Sequence, residues 1–104
     1  MSVVQYTTPT FTLEFTEQSL DLTQAANVYV TFKSGTFVLT KTSDSLTVQE
    51  KSISVYLSQE ETAQFSYGED LEIQANWTTA LGNRVASNVV KYKIDKQLLM
   101  AVIE

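Results

Sequence analysis

The stretch from Leu57 to Trp77, L-S-Q-E-E-T-A-Q-F-S-Y-G-E-D-L-E-I-Q-A-N-W, decides how this chain folds. Ser58 followed by Glu61 fits a capping box. The Ser hydroxyl can accept from the third helical N–H while the Glu side chain reaches back to the Ser N–H. Glu60 and Glu61 also suit the positive end of a helix. Gly68 stops the segment, so the spacing predicts one short helical turn over residues 59–65. Beyond Gly68 the period changes to two. Leu71, Ile73, Ala75 and Trp77 alternate with Glu72, Gln74, Asn76 and Thr78, which is a strand with one buried and one wet face.

The same period of two runs through the residues before this stretch. Residues 1–8 read as an extended lead-in. Pro9 cannot donate to a ladder and belongs at a strand start or edge. Phe11, Leu13 and Phe15 alternate with Thr12 and Glu14 as a first strand. The segment from Glu17 to Ala26 reads as a long connection with a helical turn capped at Thr23. Val28, Val30 and Phe32 alternate with Tyr29, Thr31 and Lys33. Ser34-Gly35 then turns the chain into the run from Phe37 to Lys41, forming a hairpin. Ser43-Asp44-Ser45 leads to a short strand at Leu46–Val48. Glu50-Lys51 turns into a strand from Ile53 to Leu57.

After Trp77, the residues Ala80-Leu81-Gly82-Asn83 form a turn. Arg84 to Ile94 reads as one long strand whose two faces are mixed. The tail D-K-Q-L-L-M-A-V-I-E is apolar and reads as a last strand, a helical turn or a partner-binding end. About seven short strands at roughly ten-residue spacing predict a single domain over residues 1–104. Its fold class is all-β, an immunoglobulin-like β-sandwich without the Cys…Trp…Cys core of antibody domains.

At 104 residues the chain is long enough to bury a core without staples. Its 43% hydrophobic content argues against disorder. Twelve acidic residues against seven basic ones give a net charge of −5. That balance disfavours nucleic acid and anionic membrane surfaces as partners. The chain has no cysteine and no histidine. Disulfides, thiolate zinc sites, Ser-His-Asp triads and Cys-His dyads are excluded. The N-terminus lacks a basic region followed by an apolar run, so no signal peptide is expected. No apolar run reaches the length of a membrane span.

No residue stands out as catalytic, and no metal or other cofactor is expected. The acidic cluster Glu60, Glu61, Glu69, Asp70 and Glu72 has ligands suited to calcium, but its spacing fits helix-cap and solvent-face charges better. A glycosidase needs two carboxylates at a set separation, one of them desolvated, and nothing marks two glutamates as buried. Tyr56, Tyr67, Trp77 and Tyr92 could make a sugar-stacking platform, although Trp77 shares the strand phase of Leu71 and Ile73 and so belongs to the core. Lys91, Lys93 and Lys96 read as edge-strand lysines that block sheet-to-sheet aggregation.

Residues along almost the whole chain carry a family resemblance. They are Thr8-Pro9-Thr10 ahead of the strand with Phe15, and Asp21-Leu22-Thr23 before the strand Val28–Phe32. The most specific piece is Leu57-Ser58-Gln59-Glu60-Glu61-Thr62. Gly68, Ile73-Gln74, Gly82, Ala86-Ser87 and the apolar tail follow. In this order and spacing the chain resembles small virion proteins of siphophages and prophages of Gram-positive bacteria. It is similar to the immunoglobulin-like N-terminal domain of phage upper baseplate proteins. The resemblance implies a non-enzymatic structural role in the tail or baseplate, with assembly in the bacterial cytoplasm. The chain is expected to supply the sandwich alone, without the coiled-coil or receptor-binding extension of the longer baseplate proteins. The partners implied are other virion subunits or further copies of this chain. Exposed strand edges and the apolar residues Leu98, Leu99, Val102 and Ile103 are the expected contacts. The alternative is a carbohydrate-binding or adhesion module of a bacterial surface protein, using the tyrosines. A hydrolase using paired glutamates is the third reading.

Overall fold

The hydrophobic alternation of the sequence is realised as two facing sheets. The structure is a computed structural model that describes residues 2–98 and residue 103. Among the described residues the strands are β1 (Ser2–Val4), β2 (Thr10–Glu14), β3 (Asn27–Ser34), β4 (Phe37–Thr42), β5 (Leu46–Gln49), β6 (Ser52–Tyr56), β7 (Asp70–Thr78), β8 (Arg84–Ala86) and β9 (Val90–Asp95). A single α-helical turn, α1 (Gln59–Thr62), joins β6 to β7. Short 3₁₀ turns lie at Leu22–Gln24 and Ser43–Ser45.

The larger sheet has the order β1-β9-β7-β3-β4, with β8 also paired to β7, and the smaller has the order β2-β6-β5. All pairings are antiparallel except that of β1 with β9. In chain order this places the second, fifth and sixth strands in one sheet and the third, fourth, seventh and last in the other. That is the Greek-key partition of an immunoglobulin-like sandwich. Aromatic pairs bridge the sheets. Phe11 of β2 lies 5.6 Å from Phe32 of β3 and 5.1 Å from Tyr92 of β9, and Phe15 stands edge-on to Trp77 at 5.5 Å.

β7 is the spine. It pairs with β3 on one side and with β9 and β8 on the other. Its inward residues Leu71, Ile73, Ala75 and Trp77 are all buried, as their alternation requires. Ile53, Val55, Leu57, Phe11 and Leu13 meet them from the smaller sheet side. Each large aliphatic or aromatic side chain buried this way contributes about 1.5–3 kcal/mol.

The capping box forms as the sequence requires. The Glu61 N–H donates to Ser58 Oγ at 3.2 Å, and the Ser58 N–H donates to Glu61 Oε1 at 2.9 Å. Tighter i→i+3 bonds carry the turn on to Phe65. Thr62, fully buried, donates to Thr7 O and accepts from the Thr7 N–H, tying α1 to the segment before β2. At the β3–β4 hairpin the loop is Gly35-Thr36, with a φ of +59° at Gly35. A Cβ there would also sit 2.5 Å from Glu69 Oε2.

Three local expectations change. The turn at Leu22–Gln24 is capped by Asp21, whose side chain accepts from the Thr23 N–H at 3.0 Å, so Thr23 is the capped residue and not the cap. The lead-in contains a strand, because β1 finds a parallel partner in β9. The long strand over Arg84–Ile94 is two strands. β8 pairs Ala86 with Asn76, whereas β9 pairs Val90 with Ile73. Three steps on β7 therefore oppose four on the other chain, the one-residue excess of a β-bulge. Ser87 makes it, its N–H bonding to Ala75 O and its hydroxyl accepting from the Ala75 N–H, both at 2.9 Å. These two changes raise the strand count from the expected seven or so. Among the described residues no helix is long and apolar enough to cross a membrane.

Candidate interaction site

Of the four expected contact residues, two lie among the described residues. Leu98 is 91% exposed and Ile103 is 61% exposed, so both apolar side chains face solvent. Leu99 and Val102 lie outside the described residues. The backbone of Ile103 is held by Gln59 of α1, whose side-chain amide donates to Ile103 O at 2.8 Å and accepts from the Ile103 N–H at 2.9 Å. The capped turn thus holds the Ile103 backbone while leaving the Ile103 side chain outward.

The acidic cluster is dispersed. Glu61 serves the cap and also meets Lys41 Nζ at 2.5 Å. Burial pushes the Glu61 carboxyl up, but the Lys41 ammonium and the Ser58 N–H and hydroxyl outweigh it and hold the carboxyl below its ordinary value. Glu72 lies opposite Lys33 on one side and Lys91 on the other, and Asp70 lies opposite Lys93. Lys91 and Lys93 are cross-strand neighbours of acids on β7, and Lys93 is interior to the sheet, flanked by β7 and β1, whereas the β1 register does not reach Lys91. Lys93 is therefore not the guard of an edge, as the sequence suggests it to be. Among the described residues no three acidic groups are placed to hold a metal ion.

The four aromatic residues considered as a sugar platform do not share a surface. Trp77 is 6% exposed and packs on Phe15, and Tyr92 turns inward against Phe11. Tyr56 and Tyr67 are exposed, Tyr56 on β6 and Tyr67 in the turn before β7. A different cleft of about 380 Å³ lies on the outer face of the larger sheet, lined by Tyr29, Thr31, Thr40, Asn76, Trp77, Thr78 and Arg84. The Arg84 guanidinium donates there to Asn76 Oδ1 at 3.3 and 3.4 Å.

The most distinctive surface lies along β2. In immunoglobulin constant-type sandwiches a first strand pairs with the second, giving a four-stranded sheet. Here β1 pairs with β9 instead, and no strand among the described residues pairs with the outer side of β2. The flanking bonds from the Leu57 N–H to Pro9 O and from the Phe15 N–H to Lys51 O fix the alternation of the β2–β6 ladder. Phe11 and Leu13 face β6 with their backbone groups, so those of Thr12 and Glu14 point away from the sheet. Beside this free edge a cleft of about 600 Å³ opens between β2 and the β8–β9 segment. Leu13 and Phe15 line one wall beside Thr12 and Thr16, and Trp77, Val85, Val90 and Tyr92 line the other beside Ser87 and Asn88. Glu14 and Glu17, both exposed, also line it at the β2 end.

The sequence points to strand edges as contacts without saying which strands they are; among the described residues β1, β4, β2 and β5 end the two sheets. That β2 is one of them depends on the partner of β1, a three-residue strand with little pattern of its own. No family model, curated protein or solved structure matches this chain.

Proposed function

We propose that this chain is a non-enzymatic structural subunit of a phage or prophage virion, acting through protein–protein contacts in the tail or baseplate. The observation that carries the reading is the combination of an unpaired β2 edge, a cleft beside it that exposes apolar side chains among polar ones, and outward-facing apolar residues in the tail. Sheet edges of this kind bind by strand addition, with main-chain hydrogen bonds for affinity and side-chain pockets for specificity. The sequence resemblance to phage baseplate domains supplies the setting, since the sandwich itself hosts many unrelated functions. The partners would be other virion subunits or further copies of the chain, bound during assembly in the bacterial cytoplasm.

Reading the genes that flank this one tests the setting. Neighbours encoding tape-measure, tail or portal-like proteins are expected. Neighbours encoding exported surface proteins or sugar metabolism would remove the proposal.

One observation favours the second reading, a carbohydrate-binding or adhesion module. The cleft at Tyr29, Asn76 and Arg84 combines a ring face with amide, hydroxyl and guanidinium groups suited to sugar hydroxyls. Glycan-array binding that disappears on Tyr29→Ala would favour it, and silence on the array would dispose of it.

A further inference from the structure

We propose that the free edge of β2 and its cleft take up the C-terminal segment of a second copy of this chain, which adds as a fourth strand to the smaller sheet. The inference rests on the reading of the chain as an assembly protein and names the partner for that surface. Three features select this occupant. The first is chemical. Gln97 to Ile103 is uncharged, and all of it but Gln97 is apolar, matching the wall residues Leu13, Phe15, Trp77, Val85, Val90 and Tyr92. The second is length. β2 and the two residues after it, Thr10 to Thr16, number seven, as do Gln97 to Ile103. Both extend to about 24 Å as strand.

The third feature is charge, and it sets the direction. Lys96 precedes the apolar run and Glu104 follows it. Glu14 and Glu17 line the cleft near the end of β2. An antiparallel entry brings Lys96 to these glutamates and takes Glu104 away to the Thr10 end. A parallel entry would set Glu104 against Glu14 and Glu17. Opposite charges across a strand pair stabilise it and like charges oppose it, so the segment enters antiparallel to β2. Within its own molecule Ile103 is bonded to Gln59 of α1 through a pair of hydrogen bonds, so the occupant proposed is the segment of another copy. The bonds that the tail makes with Gln59 are exchanged for ladder bonds to Thr12 and Glu14 of the neighbour.

The chain has no cysteine of its own, so engineered thiols report the contact cleanly. Full-length Thr12→Cys is mixed under mild oxidation with full-length Ala101→Cys, which the end-to-end antiparallel register sets opposite residue 12, and in parallel with Met100→Cys. Adjacent strand residues face opposite sides, so one of the two tail positions shares the face of residue 12. A disulfide-linked heterodimer from one of these mixtures is expected. Monomers from both mixtures would overturn the proposal. So would a link formed only within single molecules carrying Thr12→Cys and the tail cysteine together. The second measurement is sedimentation equilibrium of the cysteine-free chain and of the Leu98→Asp, Val102→Asp variant. Self-association about 10- to 100-fold weaker in the variant, with an unchanged melting temperature, is expected. A chain that is monomeric throughout, or a variant that associates as strongly as the parent, would overturn the proposal. Self-association is read independently of whether the protein is found in virions, so either reading can fail without the other.

Discussion

Replacing Glu61 separates the two tasks that this carboxylate performs. It closes the capping box with Ser58 and pairs with Lys41 across to β4. Glu61→Gln keeps a side chain able to complete the box but loses the ion pair. The pair is largely sheltered, its side chains being 19% and 23% exposed, yet it sits near the surface. Its loss should cost about 0.5–1 kcal/mol. Glu61→Ala also removes the reciprocal bond of the cap, whose kind is worth about 1 kcal/mol. The alanine variant should therefore lose about 1.5–2 kcal/mol, or roughly 6–16 °C in melting temperature for a domain of this size. The pH dependence fixes the cause. The Glu61 carboxyl is held below its ordinary value of 4.5 in the folded chain. Its stabilisation is thus present above about pH 4.5 and is lost as pH falls through the lower folded-state value. Thermal melts of parent and Glu61→Gln should differ at pH 7 and converge on acidification. A glutamine variant as stable as the parent at pH 7, or a gap that widens in acid, would refute the reasoning.

Other perturbations follow from single contacts. Gln5→Ala removes the buried amide that donates to Phe65 O at 2.6 Å, and chemical denaturation should show a loss of about 1–3 kcal/mol. Gly35→Ala places a methyl against Glu69 at a positive φ and should cost about 1–3 kcal/mol; adding Glu69→Ala should recover only the part due to the contact. Trp77→Ala opens the core between Phe15 and β7 and should cost about 3–5 kcal/mol in the same denaturation assay. Gln59→Ala frees the backbone of Ile103; hydrogen exchange at the Ile103 amide should quicken while global stability changes by less than about 1 kcal/mol.

The residues that speak clearly in the sequence are those whose pattern is local. Ser58 and Glu61 specify their own hydrogen bonds, and the alternation from Leu71 to Trp77 specifies a face. The last strand shows how a tertiary event writes itself weakly. Val85 keeps one phase while Val90, Tyr92 and Ile94 keep the other, and this change of phase is the bulge at Ser87. It reads as mixed faces until the partner residues on β7 are known. Thr23 looked like a cap because Thr is a capping residue, but Asp21 reaches the free N–H from two residues earlier. Lys93 looked like an edge residue because nothing local shows that β1 will cover this end of β9. The same non-local choice, β1 pairing with β9 and not with β2, leaves the outer side of β2 without a strand among the described residues. The apolar run beyond the last strand left three readings open in the sequence, a strand, a helical turn or a partner-binding end, because hydrophobicity alone does not say what covers it; of its residues Leu98 and Ile103 are exposed.

The most direct test of the account is to purify particles from an induced culture of the bacterium that carries this gene and to quantify its product by mass spectrometry across a density gradient. The account predicts that the protein co-sediments with tail proteins at a fixed ratio to them. Recovery only in the fractions free of particles would contradict it.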